Sequence, residues 1–235
     1  MKTFAFLFIF SLAPLQVITW LNDLDSSMLL EVNHLHTPYW DTFMWLCSRK
    51  WEWIPFYVSI LYVVIRNYGW RVGLYCLLGA GVVILFTDGF ASHLIRPMIG
   101  RMRPSNPANP LSAAIHIVDS HRGGRYGFPS AHASNTWGLV FLVSWLFRRY
   151  SLTLFLSCWA FLICYSRLYL GVHYPGDLLA GMFLGFLVST AVYFFLLRFT
   201  GAYPPADSKR LYVPVVVGLT TLIVFFVFPF VYIVT

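Results

Sequence analysis

Charge is what this 235-residue chain has least of: 11% of its residues are Asp, Glu, Lys or Arg, against 59% hydrophobic and 19% aromatic. Soluble domains carry roughly a quarter charged residues, so this composition excludes a soluble protein and points to a bilayer. Cysteine is scarce too. Cys47, Cys76, Cys158 and Cys164 show no CxxC or His/Cys spacing and three of them fall inside apolar runs, so neither a disulfide framework nor a zinc site is expected. There is no internal repeat and no low-complexity tract. Acidic residues number 9 against 16 Lys and Arg, a net charge of +7. On a soluble chain that excess would suggest nucleic acid. Here the basic residues sit in the connections between apolar runs, where they serve topology, lipid headgroups or an anionic substrate, and no nucleic-acid partner is expected.

What fills the chain is apolar runs of spanning length. A helix needs about 20 residues to cross a hydrocarbon core about 30 Å thick. Candidate spans fall near residues 3–20, 52–66, 71–92, 133–148, 151–167, 177–198 and 212–234. The fold class is therefore all-α, a polytopic transmembrane bundle of six or seven spans. The first run follows Met1-Lys2 and resembles a signal peptide, but Pro14 after the small residues of "SLA" favours a retained helix. Residues 21–51 mix acids with Leu, Trp, Phe and Met, which suits helices lying along the membrane surface.

Two connections differ from the rest. Residues 93–130 form a long polar segment with Arg96, Arg101, Arg103, Arg122, Arg125, His93, His116 and His121, and a loop of that length is usually functional or disordered. The other is the short stretch at 167–176. The runs at 133–148 and 151–167 join through "RRYS" as a helical hairpin, so the chain returns to the face it left and the two connections meet on one side of the membrane. Basic residues divide almost evenly between the two faces, so the positive-inside rule gives a tie. If the loop arginines are kept for binding, "RNYGWR", "RRY" and "SKR" read as cytoplasmic and the loops face outward. With an odd number of spans the C-terminus is then outside too.

Three pieces of sequence carry chemistry on the loop face. In "RPMIGRMRP", Arg96, Arg101 and Arg103 supply guanidinium forks that match phosphate oxygens and stay charged. In "GFPSAHAS", Pro129 and Ser130 start a helix whose free amides and dipole favour an anion, near the Ala131 amide, the Ser130 hydroxyl and His132. In "SRLYLGVHYPGD", Arg167 ends a span, His173 sits in the turn and Asp177 opens the next helix. A carboxylate on one ring nitrogen fixes a histidine's tautomer and sharpens the other as a nucleophile; Asp177 can also simply cap its helix.

Arg96-x6-Arg103-Pro104, Pro129-Ser130-Ala131-His132 and Ser166-Arg167-x5-His173-x3-Asp177 together resemble the three-part signature of the type 2 phosphatidic acid phosphatase (PAP2) superfamily, which includes the vanadium haloperoxidases. The resemblance covers about 80 residues, with helices in the right places, and an ordered triple match is far more specific than any one part. Two positions depart from it: Arg96 stands where the family usually has Lys, and Ala131 where it usually has Gly. With the apolar runs on either side, three regions are expected: residues 1–51 with a membrane helix and interfacial helices, a catalytic helical core of the resembled type at 52–198, and a cytoplasmic loop with a final transmembrane helix at 199–235. The resemblance implies that His173, held by Asp177, attacks phosphorus while His132 protonates the leaving oxygen. Arg96, Arg103, Arg167, Ser130 and the Ala131 amide then hold the equatorial oxygens. His121, Arg122, Arg125 and Arg101 are candidate contacts to the substrate headgroup. No metal and no cofactor are expected, since arginines and a helix terminus supply the positive field.

Other features are assigned no chemistry. "HIVDSH", with His116, Asp119 and His121, lacks a partner cluster for a metal. Asp88, inside an apolar run, needs a partner and is expected to pair with Arg96 or Arg167. The expected activity is hydrolysis of a lipid phosphate, with undecaprenyl diphosphate ranked first. Lipid A comes second, followed by phosphatidylglycerophosphate or phosphatidate, and phosphotransfer to an acceptor is the alternative reaction. A transporter is disfavoured because the ionisable residues gather at one face rather than at mid-membrane. The expected location is a bacterial inner membrane with the site facing the periplasm.

Overall fold

The computed structural model describes residues 19–200 and 210–234. The expected first span and its cleavage question, like most of the connection at 199–209, lie outside the described residues. Every regular element among them is helical. Residues 19–33 form α1, Pro38–Ser48 form α2 and Lys50–Trp53 a short 3-10 turn. The membrane bundle follows: α3 (Ile54–Tyr68), α4 (Trp70–Ile84), α6 (Ala131–Phe147), α7 (Tyr150–Tyr169), α8 (Pro175–Thr200) and α9 (Tyr212–Val234), with the four-residue α5 (Arg96–Ile99) between α4 and α6.

Helices at Trp70–Ile99, Tyr150–Tyr169, Pro175–Thr200 and Tyr212–Val231 are long and apolar enough to cross a membrane. The shorter α3 and α6 pack among them, so the chain is an integral membrane protein with the expected helical order. Its outward surface carries Leu85, Phe161, Phe183 and Ile223, each more than half exposed, as a lipid-facing surface requires.

The fourth element departs from expectation. Instead of ending near residue 92, the helix continues through a π-helical stretch at Leu85–Ile95 into α5 and stops at Gly100, whose φ of +66° is the left-handed geometry of a helix end. Two polar residues that read as loop are satisfied without leaving the helix. His93 Nδ1 bonds the Gly89 carbonyl at 2.7 Å, and Arg96 reaches the Pro129 carbonyl with Nε and Nη2 at 3.2 and 3.1 Å.

The polar loop that remains is pinned. Met102 and Tyr126 form a β-bridge; the Arg103 N–H donates to Arg125 O at 3.1 Å and the Gly127 N–H to Arg101 O at 3.0 Å. Asn33 of α1 clasps it from the side, donating to the carbonyls of His116 and Tyr169 at 3.1 and 2.7 Å and accepting from the His116 N–H at 2.8 Å.

Lipid tails are as apolar as leucine, so helix association in a bilayer relies on close packing and polar contact. The tightest pairing joins α6 to α8. Ser130, Ser134 and Gly138 recur every fourth residue on α6 and face Gly181 and Gly185 of α8. A Cβ at Gly181 or Gly185 would run into the Ser130 or Ser134 carbonyl, so only glycine permits this approach. The consequence reaches the site directly: the Ser130 N–H donates to the Asp177 carbonyl at 2.9 Å, fastening two motifs by their backbones.

Candidate active site

Four ionisable side chains of the site are almost completely enclosed: Arg103 is 7% exposed, Arg167 4%, His173 1% and Asp177 0%. Burial of charge is costly without partners, so each partner is informative. His173 sits in the turn between α7 and α8, which Gly171 starts with a φ of +66°. Its Nε2 receives Arg103 Nη1 at 2.7 Å. Guanidinium can only donate, so Nε2 bears the lone pair and Nδ1 the proton. That Nδ1–H faces Asp177 Oδ2 at 3.3 Å. The tautomer is thus fixed by its two neighbours, with the Nε2 lone pair aimed at the arginines. Burial, reinforced by the positive charges of Arg103 and Arg167, holds His173 well below the ordinary imidazole range, so the ring is neutral at neutral pH.

Asp177 both caps and orients. Its Oδ2 accepts the Tyr174 N–H at 3.1 Å, reaching back across the first turn of α8 as a capping residue does, and the same oxygen faces His173. Gly127 leaves room for this. A Cβ there would lie 2.8 Å from Asp177 Oδ2 and 3.4 Å from His173 Nδ1.

The arginines are arranged around the same point. Arg103 also donates to the Val172 carbonyl at 2.9 Å, while its Nε is buried with no acceptor. Burial and the nearby Arg96 charge bring this guanidinium down to about 10, still well above neutrality. Arg167 donates to the Ser48 hydroxyl of α2, and its Nε is likewise buried without an acceptor. Orphaned buried donors are rare, and two on adjacent arginines are what a bound oxyanion would satisfy. Arg96 grips the carbonyl immediately before Ser130. The Ser130 hydroxyl accepts the Ala133 N–H at 3.5 Å, as the expected cap, leaving the Ala131 and His132 amides of the first turn without an intrahelical acceptor. The Phe128–Pro129 peptide that leads into this turn is cis.

His132 differs from His173. Its ring makes no hydrogen bond among the described residues, and it lines a cavity of about 100 Å³ with Ser48, Lys50, Tyr57, Asn135 and Thr136. Lys50, Tyr57, Asn135 and Thr136 also line an apolar groove of about 590 Å³ between α3, α4 and α6. The groove is walled by residues such as Leu77, Ala80, Val83 and Leu139.

The remaining expected headgroup contacts scatter. Both terminal nitrogens of Arg101 are engaged by carboxylates, Nη1 by Asp177 Oδ1 at 3.0 Å and Nη2 by Asp25, so it faces away from a ligand. Arg122 is tied into the loop by Ser105, donating to its carbonyl at 2.8 Å. Arg125 lies over Tyr126, and His121 packs edge-on to Trp45 with centroids 4.9 Å apart. Burial, with the positive charges of Arg167 and Arg103, lowers the His121 pKa. Asp88 also departs from expectation. Its hydrogen-bond partner is the Asn135 amide at 3.5 Å, because that residue lies on the adjacent face of α6.

Sequence reasoning does not single out Asp25, Ser48, Lys50 or Asn135. Asn135 lies off the small-residue stripe that faces α8 and meets Thr87 and Asp88 instead, and Asp25 and Ser48 reach the site from α1 and α2; none of the three has a local pattern.

A membrane bundle holding a neutral, carboxylate-oriented histidine among buried arginines at one end is the architecture of a membrane phosphatase, a phosphoric ester hydrolase. Residues 74–201 match the family model of the PAP2 superfamily, and the chain belongs to that superfamily. It is 40% identical over 214 residues to the lipid A 4'-phosphatase of Bacteroides thetaiotaomicron, covering 88% of this chain and 95% of that protein. It is 29% identical over 204 residues to the lipid A 4'-phosphatase of Porphyromonas gingivalis, covering 85% and 86%. In fold it is similar to the crystal structure of the first transmembrane PAP2 type phosphatidylglycerolphosphate phosphatase from Bacillus subtilis. That match has a TM-score of 0.56 and 22% identity, over 76% of this chain and 87% of that one. The chain is thus a PAP2-type membrane lipid phosphatase.

Proposed function

We propose that this phosphatase removes the 4'-phosphate of lipid A through a phosphohistidine on His173. The observation that carries the substrate is the 40% identity spanning nearly the whole length of a lipid A 4'-phosphatase. This reverses the order expected from sequence, which ranked undecaprenyl diphosphate first. An undecaprenyl-diphosphatase of Sulfolobus acidocaldarius is only 25% identical over 60% of this chain. The cavities support a lipid, since a phosphate at His132 would have the apolar groove beside it for a chain.

The reaction divides into two balanced steps. His173 Nε2 attacks phosphorus, a P–N bond forms as the ester P–O bond breaks, and His132 gives its proton to the leaving oxygen. Arg103 must first turn from Nε2 to the incoming phosphate, and the orphaned Nε groups of Arg103 and Arg167 acquire acceptors as it does. Water then attacks the phosphohistidine, His132 takes its proton, and the P–N bond breaks to release phosphate. Arg96, Arg103, Arg167, Ser130 and the Ala131 amide hold the equatorial oxygens throughout, where charge redistributes.

Orientation follows from the same arginines. Arg96, Arg101, Arg103 and Arg167 are engaged inside the protein, so they are poor topological signals. Arg66, Arg71, Arg148, Arg149 and Arg198 at the other end then support a cytoplasmic side there, and with it a site that faces the periplasm from a bacterial inner membrane.

The test is phosphate release by the purified chain in detergent from lipid A, undecaprenyl diphosphate, phosphatidate and phosphatidylglycerophosphate, with mass spectrometry locating the phosphate lost. Preferred loss of the 4'-phosphate, undiminished by EDTA, is expected. Equal turnover of all four lipids, or loss of the 1-phosphate instead, overturns the substrate reading. Loss of activity in EDTA overturns the mechanism.

A further inference from the structure

We infer that Asp25 and Arg101 form a positioning pair, through which α1 fixes the Asp177 carboxylate that orients His173. The inference rests on reading His173 as the nucleophile. Arg101 bridges two carboxylates, donating through Nη1 to Asp177 Oδ1 at 3.0 Å and through Nη2 to Asp25. Asp25 accepts a second bond from the Gly176 N–H at 2.7 Å, one residue before Asp177. The contact is tight on that side as well, since a Cβ at Gly176 would lie 2.7 Å from Asp25 Oδ2 and 3.2 Å from Arg101 Nη1. The guanidinium lies over the Tyr174 ring, 4.2 Å from its centroid. Asp25, Arg101, Asp177 and His173 thus form one chain of bonds that starts at a backbone N–H in the first turn of α8 and ends on the histidine of the turn before it.

The chemistry asks for such a brace. Asp177 presents Oδ2 to His173 and to the Tyr174 N–H, which leaves Oδ1 as the one oxygen those two bonds do not hold. Arg101 occupies that oxygen and supplies a cation beside a fully enclosed carboxylate, and Asp25 keeps Arg101 from turning towards the substrate phosphate. The charged and titratable groups facing Asp177 are Arg101, Arg103 and, further off, Arg96 from the α5 segment and its loop, His173 and Tyr174 from the turn, and Asp25 from α1. Arg101 alone among the arginines contacts the carboxylate directly. Asp25 also lies outside the 74–201 stretch that the family model covers, so this end of the chain of bonds is supplied by the N-terminal region.

A double-mutant cycle on the full chain in detergent tests the pair, using Arg101→Gln, Asp25→Asn, the two together and Arg101→Lys. It is run on whichever of lipid A, phosphatidate and phosphatidylglycerophosphate the wild-type chain turns over fastest, so failure of the lipid A reading leaves it intact. Outer partners that orient metal-bound histidines are typically worth about 10- to 100-fold in activity, and the same order is expected for partners that orient His173. Arg101→Gln is expected to lower kcat by that factor with little change in KM, and to move the acid limb of kcat/KM to higher pH. The double variant is expected to be no worse than Arg101→Gln alone, and Arg101→Lys to restore the acid limb. KM rising at unchanged kcat would make Arg101 a headgroup contact and overturn the inference. So would additive losses, or a lower unfolding temperature with kcat and pH profile unchanged. Activity persisting in His173→Ala sinks the nucleophile reading instead, a result separate from all of these.

Discussion

The two histidines of the site sit in opposite surroundings. His173 is enclosed, with both ring nitrogens occupied and its turn held by Asp177, Arg103 and the Ser130–Asp177 backbone bond. His132, at the start of α6, has no ring partner among the described residues and lines a cavity that shares four wall residues with an apolar groove. Those surroundings suit the roles proposed for the two rings, nucleophile and proton donor. A nucleophile must meet phosphorus along one line, and fixing it in advance removes an entropic cost from the barrier. A proton donor must follow the leaving oxygen of a bulky lipid, which the open side permits.

The largest effect expected lies on the rigid side. His173→Ala should lower kcat by about 10⁴-fold or more, as loss of a nucleophile does elsewhere, and wild type quenched in alkaline detergent, where a phosphohistidine survives, should carry labelled phosphate on protein while the variant does not. A variant that still forms the phosphoprotein breaks the comparison at its root. On the open side, His132→Ala should cost about 10²- to 10⁴-fold with a lipid alkoxide leaving group, the usual range for a general acid. The loss should shrink with p-nitrophenyl phosphate, whose leaving group needs no proton; equal losses on both substrates would remove His132 from that role. The smallest effect sharpens the groove. Ala80→Phe should displace about two methylenes of a bound chain, at ~0.8 kcal/mol each, and so raise KM for long-chain substrates about tenfold with kcat unchanged. Short-chain substrates should not notice, and an equal change for both would detach the groove from the lipid.

Hydropathy and length alone locate most of the spans, because each helix satisfies its own backbone in lipid, which is a local requirement. The helices expected at 133–148, 151–167 and 177–198 occur at Ala131–Phe147, Tyr150–Tyr169 and Pro175–Thr200. The meeting of the two polar connections follows from one hairpin. The end of the fourth element is less legible, because His93 and Arg96 read as loop when only their partners at Gly89 and Pro129 show how a helix can keep them. The partner of Asp88 and the role of Arg101 differ from expectation for the same reason.

By itself, the sequence determined a polytopic helical membrane protein, a resemblance to one phosphatase superfamily, and the residues of three motifs at one end of the bundle. Tertiary structure decided which nitrogen of His173 is free, which arginine donors lack acceptors, and that α1 and α2 reach the site through Asp25 and Ser48. These last contacts span 76 and 119 residues of chain. Local pattern encodes a helix and its caps, but a side chain's partner across such a separation is set by how helices pack, and here the small residues of α6 and α8 set that packing.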